Sequence, residues 1–439
     1  MTTTLAQLRN GTLVGATRLT LRCGLTTFPD EIFDLADSLE ILDLSGNALS
    51  ALPEDLPRLR KLRILFCSDN QFTELPSMLG QCRQLSMIGF KANQIGKVPA
   101  SALPVSLRWL ILTDNQITDL PTEIGQCAQL QKLMLAGNLL TTLPATLVQC
   151  ARLELLRLAA NRFTELPAWL LTLPRLSWLA FAGNPLGEAS AMAVEDSAPV
   201  ATIPWDDLEL HEQLGEGASG VIHRAEYRHA DTATQVALKL FKGALTSDGM
   251  PGNEMEACIA AGQHPNLIPI LAILSGHPER ANGLIMPLIA PEFHNLAGPP
   301  SLSSCTRDVY EDGLSIDEPE LSALALGIAS AVAHLHQRGI LHGDLYAHNV
   351  LHTGEGYVLL GDFGAASLFA PDDVQADALQ RLEVRAFGVL LEELITHCPA
   401  PLPPAMARLA RACLSDDHRA RPLFCDIVRQ LSPLPESIR

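Results

Sequence analysis

His342-Gly343-Asp344-Leu345-Tyr346-Ala347-His348-Asn349 places a carboxylate and a carboxamide five residues apart on a short loop flanked by apolar residues. An Asp and an Asn at this separation are, by themselves, as readily ordinary turn residues as a site. Three further stretches change the reading. Leu214-Gly-Glu-Gly-Ala-Ser-Gly-Val221 and Val236-Ala-Leu-Lys239 precede the octapeptide, and Gly361-Asp-Phe-Gly364 follows it. A glycine-rich turn alone could be any flexible hairpin, but here Lys239 stands 19 residues beyond Gly220 on an apolar, strand-like run. Chance does not supply four such motifs in one order.

In that order the motifs resemble those of the protein kinase superfamily, from about Trp205 to the C-terminus. The resemblance implies a bilobal α+β fold that uses ATP and Mg2+. It implies that Asp344 accepts the proton of an attacking hydroxyl, and that Asn349 and Asp362 bind the magnesium that bridges the phosphates. Gly215, Gly217 and Gly220 let backbone amides approach the phosphates with no Cβ in the way, and Leu214, Val221 and Ile222 complete that turn. Lys239 supplies a point charge for the α- and β-phosphates. It needs an acidic partner, for which Glu254 is the expected residue and Glu256 the alternative. Met286 falls where the depth of the adenine pocket is gated. Because Pro287 has no N–H to offer, the hinge contacts fall to the backbone of Leu288.

The match is imperfect in informative places. Gly343 stands where many kinases carry an Arg that reads a phosphate on the activation segment, so such a switch lacks its receiver. Tyr346 stands where serine/threonine kinases carry a Lys, and His348 where tyrosine kinases often carry an Arg, which leaves the acceptor class open between serine/threonine and tyrosine. Only 21 residues separate Asp362 from Glu383, with no Ala-Pro-Glu between them, and Ser367 is the sole hydroxyl residue in that interval. Activity is therefore expected not to depend on phosphorylation there. Glu383 is expected to begin a helix and, in the usual place of an Asp, to accept hydrogen bonds from the catalytic-loop backbone. Arg421 of His418-Arg-Ala-Arg-Pro422 resembles the closing motif of the tyrosine-kinase-like branch but lacks its acidic partner. Asp317 is expected to cap a helix carrying Leu321, Leu324, Ile328, Val332 and Leu335 on one face. No function follows from the Pro-, Ser- and Gly-rich stretch Glu292 to Gly313.

The length of 439 residues calls for two or three domains, and 47% hydrophobic with 18% charged residues is a globular balance. The net charge of −18 is uneven: residues 1–186 hold 16 Lys/Arg and 15 Asp/Glu, whereas residues 187–439 hold 15 and 34. An acidic C-terminal half argues against nucleic acid as a partner. Ten Cys lie without Cys-x-x-Cys pairs and read as reduced thiols. No apolar run approaches the roughly 20 residues that span a bilayer, and Met1 to Arg9 is no leader, so a cytoplasmic location is expected.

The N-terminal half repeats itself. Leu39-Glu-Ile-Leu-Asp-Leu-Ser-Gly-Asn47-Ala-Leu-Ser-Ala-Leu-Pro53 sets a template whose Asn returns at 70, 93, 115, 138, 161 and 184, at intervals of 22 or 23 residues. Over about residues 13–186 the pattern resembles the leucine-rich repeat family, an α/β solenoid of about eight repeats in which Leu42 and Leu44 point inward and the chain returns on the convex side. The Asn residues are expected to satisfy buried backbone groups rather than to catalyse. The third strand position reads Ile41, Ile64, Met87, Trp109, Lys132, Leu155 and Trp178, with Phe66, Ile111 and Met134 beside it. It is expected to face outward on the concave surface and to dock a protein, either a substrate or the kinase-like half itself, with Trp109 and Trp178 as anchors. Core packing at this position is the competing reading.

Residues 1–186 are thus expected to form the solenoid, 187–204 an Ala/Ser/Pro-rich linker, and 205–439 the kinase-like domain. The whole resembles a bacterial-type leucine-rich repeat kinase of the tyrosine-kinase-like serine/threonine branch. The competing reading is a pseudokinase scaffold, in which nucleotide is bound and the repeats carry protein interaction.

Overall fold

Leucines spaced by one repeat meet because three-residue strands pair in parallel and in register. The computed structural model describes residues 5–186 and 200–432, apart from positions 218, 230, 231, 244, 247, 400 and 402, and these residues form two compact units, 1–176 and 177–439. In the first unit α1 (Leu5–Arg9) precedes β1 (Arg18–Thr20), β2 (Ile41–Asp43), β3 (Ile64–Phe66), β4 (Met87–Gly89), β5 (Trp109–Ile111), β6 (Lys132–Met134) and β7 (Leu155–Arg157). Leu19, Leu42, Leu65, Ile88, Leu110, Leu133 and Leu156 stand side by side across these strands and are fully buried. Short 3-10 turns, most of them opened by a proline, bring the chain back between strands.

The Asn ladder closes the tight turns. Asn138 donates through Nδ2 to the carbonyls of Leu112 and Leu135, both at 2.9 Å, and its Oδ1 accepts the Ile117 N–H at 3.0 Å. The preceding residue is left-handed in every one of these repeats: Gly46, Asp69, Ala92, Asp114, Gly137 and Ala160 have φ between 52° and 71°. That constraint was not apparent from the sequence, because glycine fills only part of the series and Asp or Ala the rest. The outward stripe differs from expectation. Ile64, Met87, Lys132, Leu155 and Trp178 are buried, whereas Ile41, Trp109, Phe66, Ile111 and Met134 are half-buried.

The second unit contains β8 (Trp178–Ala180), β9 (Ala201–Pro204), β10 (Leu208–Glu216), β11 (Gly220–His229), β12 (Thr232–Phe241), α2 (Pro251–Ala261), β13 (Ala272–Ser275), β14 (Gly283–Pro287) and β15 (His294–Asn295). It continues through α3 (Glu318–Gln337), β16 (Ile340–Leu341), β17 (Val350–His352), β18 (Val358–Leu360), β19 (Ser367–Leu368), α4 (Ala376–Thr396), α5 (Pro404–Cys413) and α6 (Phe424–Leu431). One sheet runs β10-β11-β12-β14-β13-β9. Its core is Ile203, Ala225, Val236, Leu238, Ala272, Leu274 and Ile285, covered by Trp205 and Tyr227. Of the expected linker, 187–199 lies outside the described residues, and Ala201–Pro204 is strand rather than linker: it pairs in parallel with β13.

Helix α3 carries the expected apolar face, with Leu321, Leu324, Ile328, Val332 and Leu335 fully buried, and the Asp317 carboxylate accepts the Glu320 N–H at 2.9 Å. Glu383 does not begin its helix. The helix starts seven residues earlier, at Ala376, because Ala376, Leu379 and Leu382 bury the face that sets its direction. All ten cysteines are free thiols. Among the described residues no helix is long and apolar enough to cross a membrane.

Candidate active site

Strands β10 to β12 make one wall of a cleft of about 870 Å³. Leu214, Gly215, Gly217, Gly220 and Ile222 line it from the first hairpin, Lys239 from β12, Met286 from β14 and Leu288 from just beyond that strand. Val221 does not line it. Side chains alternate along a strand, so Gly220, Ile222 and Arg224 face the cleft while Val221 points to the other side. At Gly215 and Gly217 a Cβ would meet nothing within 4 Å, so the turn stands open to whatever the cleft holds.

Lys239 forms an ion pair with Glu254 of α2; Glu256, two residues on, lies 3.5 Å from the Asn253 amide instead. Burial works against the charge of Lys239, but Glu254 and then Asp362 hold its ammonium above the ordinary lysine value. Glu254 is pushed up by burial, which the charge of Lys239 opposes. The direction of Lys239 governs the pair, since two carboxylates flank one cation.

Asp362 is exposed, with φ 56°, and its Oδ1 accepts the Gly364 N–H at 3.1 Å. A left-handed non-glycine residue held by its own turn is strain of the kind that aims a functional side chain. Asp344 and Asn349 are not among the residues lining the cleft; they lie on the loop between β16 and β17. Asn349 Nδ2 donates to the Asp344 carbonyl at 2.8 Å and to its carboxylate at 2.9 Å. The Asn349 amide oxygen is thereby left to other partners. The Asn349 amide and the Asp362 carboxylate each carry a hard oxygen of the kind that Mg2+ takes as a ligand.

The loop is held from several sides. His342 Nδ1 accepts the Asp344 N–H at 3.3 Å, so the ring hydrogen sits on Nε2 and donates to the Gly361 carbonyl at 2.9 Å. Glu383 accepts the Gly343 and His342 amides and pairs with His336. Asp308 takes the His348 N–H at 3.0 Å and its Nδ1 at 2.7 Å. Burial works against protonating His348, but Asp308, then Asp344 and Asp362, raise it above the ordinary value. Asp308 lies in the stretch to which the sequence assigned no role, and no spacing rule marks it. Arg421 finds backbone partners, the Ser415 carbonyl at 2.8 Å and the Arg381 carbonyl at 3.0 Å.

Gly343 has φ 74°, and a Cβ there would stand 2.5 Å from the Ala365 oxygen and 2.8 Å from that of Leu179. Neither the backbone conformation nor the space admits the Arg expected of a phosphate-reading kinase. Trp178 lies over the next part of the loop, its ring stacked on Tyr346 at 4.2 Å and 6°.

Residues 208–386 match the protein tyrosine and serine/threonine kinase family, and residues 38–59 and 105–163 match leucine-rich repeats. The chain is similar to the serine/threonine-protein kinase CTR1 of Arabidopsis thaliana, 24% identical over 282 residues, which is 54% of this chain and 32% of that protein. It is similar to cyclin-dependent kinase 11B of Rattus norvegicus, 29% identical over 198 residues, 44% of this chain and 42% of that one. It also resembles the serine/threonine-protein kinase mos of Gallus gallus, 31% identical over 180 residues, 38% of this chain and 49% of that one. The chain thus spans less than half the length of each of these relatives. It carries leucine-rich repeats and a protein kinase domain, a family that generally uses ATP and Mg2+.

Proposed function

We propose that the chain is an ATP-dependent protein kinase that transfers the γ-phosphoryl group to a serine or threonine hydroxyl of a protein in the cytoplasm. The observation that carries this reading is the Asn349–Asp344 pair, which holds a carboxylate on the loop while leaving an amide oxygen for a cation. Asp344 accepts the hydroxyl proton as the acceptor oxygen bonds to the γ-phosphorus and the bond to ADP breaks. Lys239, held by Glu254, and the amides of Gly215, Gly217 and Gly220 orient the phosphates. Leu214, Ile222, Met286 and Leu288 pack on the nucleotide. Asn349 and Asp362 would hold magnesium, which when bound would neutralise charge on the phosphates.

The repeats, read as residues 1–186 ahead of the kinase domain at 205–439, recruit the protein partner. Support comes from the half-buried apolar residues Ile41, Phe66, Trp109, Ile111 and Met134 on one face of the sheet. Trp109→Glu in a folded protein should abolish capture of that partner; undiminished capture would refute the docking face. A scaffold that binds ATP without transfer is the second reading, favoured by Tyr346 lying under Trp178 where a cation stands in serine/threonine kinases.

Purified full-length protein, given labelled ATP, magnesium and a generic protein acceptor, separates the two. Transfer is expected, appearing on serine or threonine in phosphoamino-acid analysis. Asp344→Asn should keep ATP binding and reduce transfer by about 10²- to 10⁴-fold. Equal transfer by parent and variant overturns the assignment of Asp344, and ATP binding without transfer by the parent establishes the scaffold.

A further inference from the structure

Three departures from the kinase pattern, Gly343, Tyr346 and the short interval from Asp362 to Glu383, converge on one five-residue stretch, Ser177 to Phe181. Trp178 is buried, its Nε1 donates to the Leu345 carbonyl at 3.0 Å, and its ring stacks on Tyr346. The Arg307 guanidinium lies 5.7 Å from the same ring centroid. The Leu179 carbonyl sits against Gly343 so closely that a Cβ would be 2.8 Å away. Two residues on, the Phe181 N–H donates to Ser367 Oγ at 2.8 Å, and Ser367 is wholly buried on β19. The stretch therefore touches the loop on both sides of Asp344, at 343 and at 345–346, and also the segment that follows Asp362.

We propose that Ser177–Phe181 is a built-in positioning element of the catalytic loop, with Trp178 its principal residue, standing in for the chain missing between Asp362 and Glu383. The proposal rests on the kinase reading given above. An irregular loop leaves backbone groups that no helix or sheet ladder satisfies, and their partners must come from elsewhere. The Leu345 carbonyl finds its partner in the Trp178 indole, and the stack holds the adjoining Tyr346 ring in one plane. Asp344, fixed between contacted neighbours, needs little reorganisation to meet an acceptor hydroxyl. The nucleotide-holding residues Lys239, Glu254 and Met286 lie on other elements, so the effect belongs to transfer rather than to ATP affinity.

The test compares full-length protein with Trp178→Ala and Trp178→Phe by two readouts. Hydrogen–deuterium exchange over residues 342–349 should quicken in Trp178→Ala while β11 and β12 exchange as in the parent. The kcat of phosphoryl transfer should fall by about 10²-fold with the KM for ATP unchanged, as expected for misplaced catalytic groups. Trp178→Phe, which can stack but has no indole donor, should lie between the two. Unchanged loop exchange in Trp178→Ala overturns the proposal, as does faster exchange with a raised kcat, which would make the stretch an obstruction. If Trp178→Ala does not fold, parental exchange and kcat in Trp178→Phe overturn the indole's role. A parent without transfer refutes the kinase reading, and the exchange comparison then decides the positioning role alone.

Discussion

Glu383 accepts the backbone N–H of Gly343 at 2.7 Å, its other oxygen taking the His342 N–H at 3.1 Å and the His336 ring at 2.8 Å. One fully buried carboxylate of α4 thus fastens the start of the loop that carries Asp344. Glu383→Ala strands two amides and a histidine, and should cost at least ~3 kcal/mol in urea denaturation. A loss under ~1 kcal/mol would show that the loop does not lean on it.

Burial pushes the Glu383 carboxyl up, but the His336 hydrogen bond and charge, with the Gly343 N–H, bring it below the ordinary glutamate value. A carboxyl depressed on folding contributes stability that is complete above its unfolded value of about 4.3 and is lost as pH falls through the lower folded value. The parent should therefore lose stability more steeply than Glu383→Gln on going into that acid range. Parallel stability–pH curves for the two would contradict the assignment.

Lys239 and Glu254 are largely buried together, 14% and 3% exposed. Removing either leaves the other charge without its partner, a loss of about 3–5 kcal/mol for Glu254→Ala by chemical denaturation. Lys239→Met should also lose most of the thermal stabilisation that ATP confers on the parent. An undiminished ATP-dependent shift in Lys239→Met would remove Lys239 from the nucleotide site.

Ser367 is buried and its oxygen holds the Phe181 N–H. After incubation with ATP, mass spectrometry should find no phosphate on the peptide containing Ser367, and phosphatase treatment should leave the initial rate unchanged. Stoichiometric phosphate there, with a rate that depends on it, would contradict the prediction.

In the repeats, Asn138→Ala should destabilise by ~3 kcal/mol, because three buried backbone groups lose their partners at once. Exposed Gln116→Ala serves as the control and should stay within ~0.5 kcal/mol in the same thermal or urea scan. Equal effects would mean that water replaces the ladder.

The sequence by itself determined what short-range spacing encodes. The interval of the ladder Asn set the strand register, and the order of glycine turn, lysine strand, Asp-to-Asn loop and Asp-Phe-Gly set the elements that line or adjoin the cleft. Even there, the side of a strand on which Val221 falls depended on the pleat, and the start of α4 on which of its residues found a core. Tertiary structure alone decided the partners that come from far along the chain: Trp178 on Tyr346 across 168 positions, Asp308 on His348 across 40, Phe181 on Ser367 across 186. Such contacts carry no period and no motif. They exist because a backbone carbonyl, an amide or a ring face left unsatisfied by local structure is costly once buried, and whichever side chain the fold carries to that spot must satisfy it.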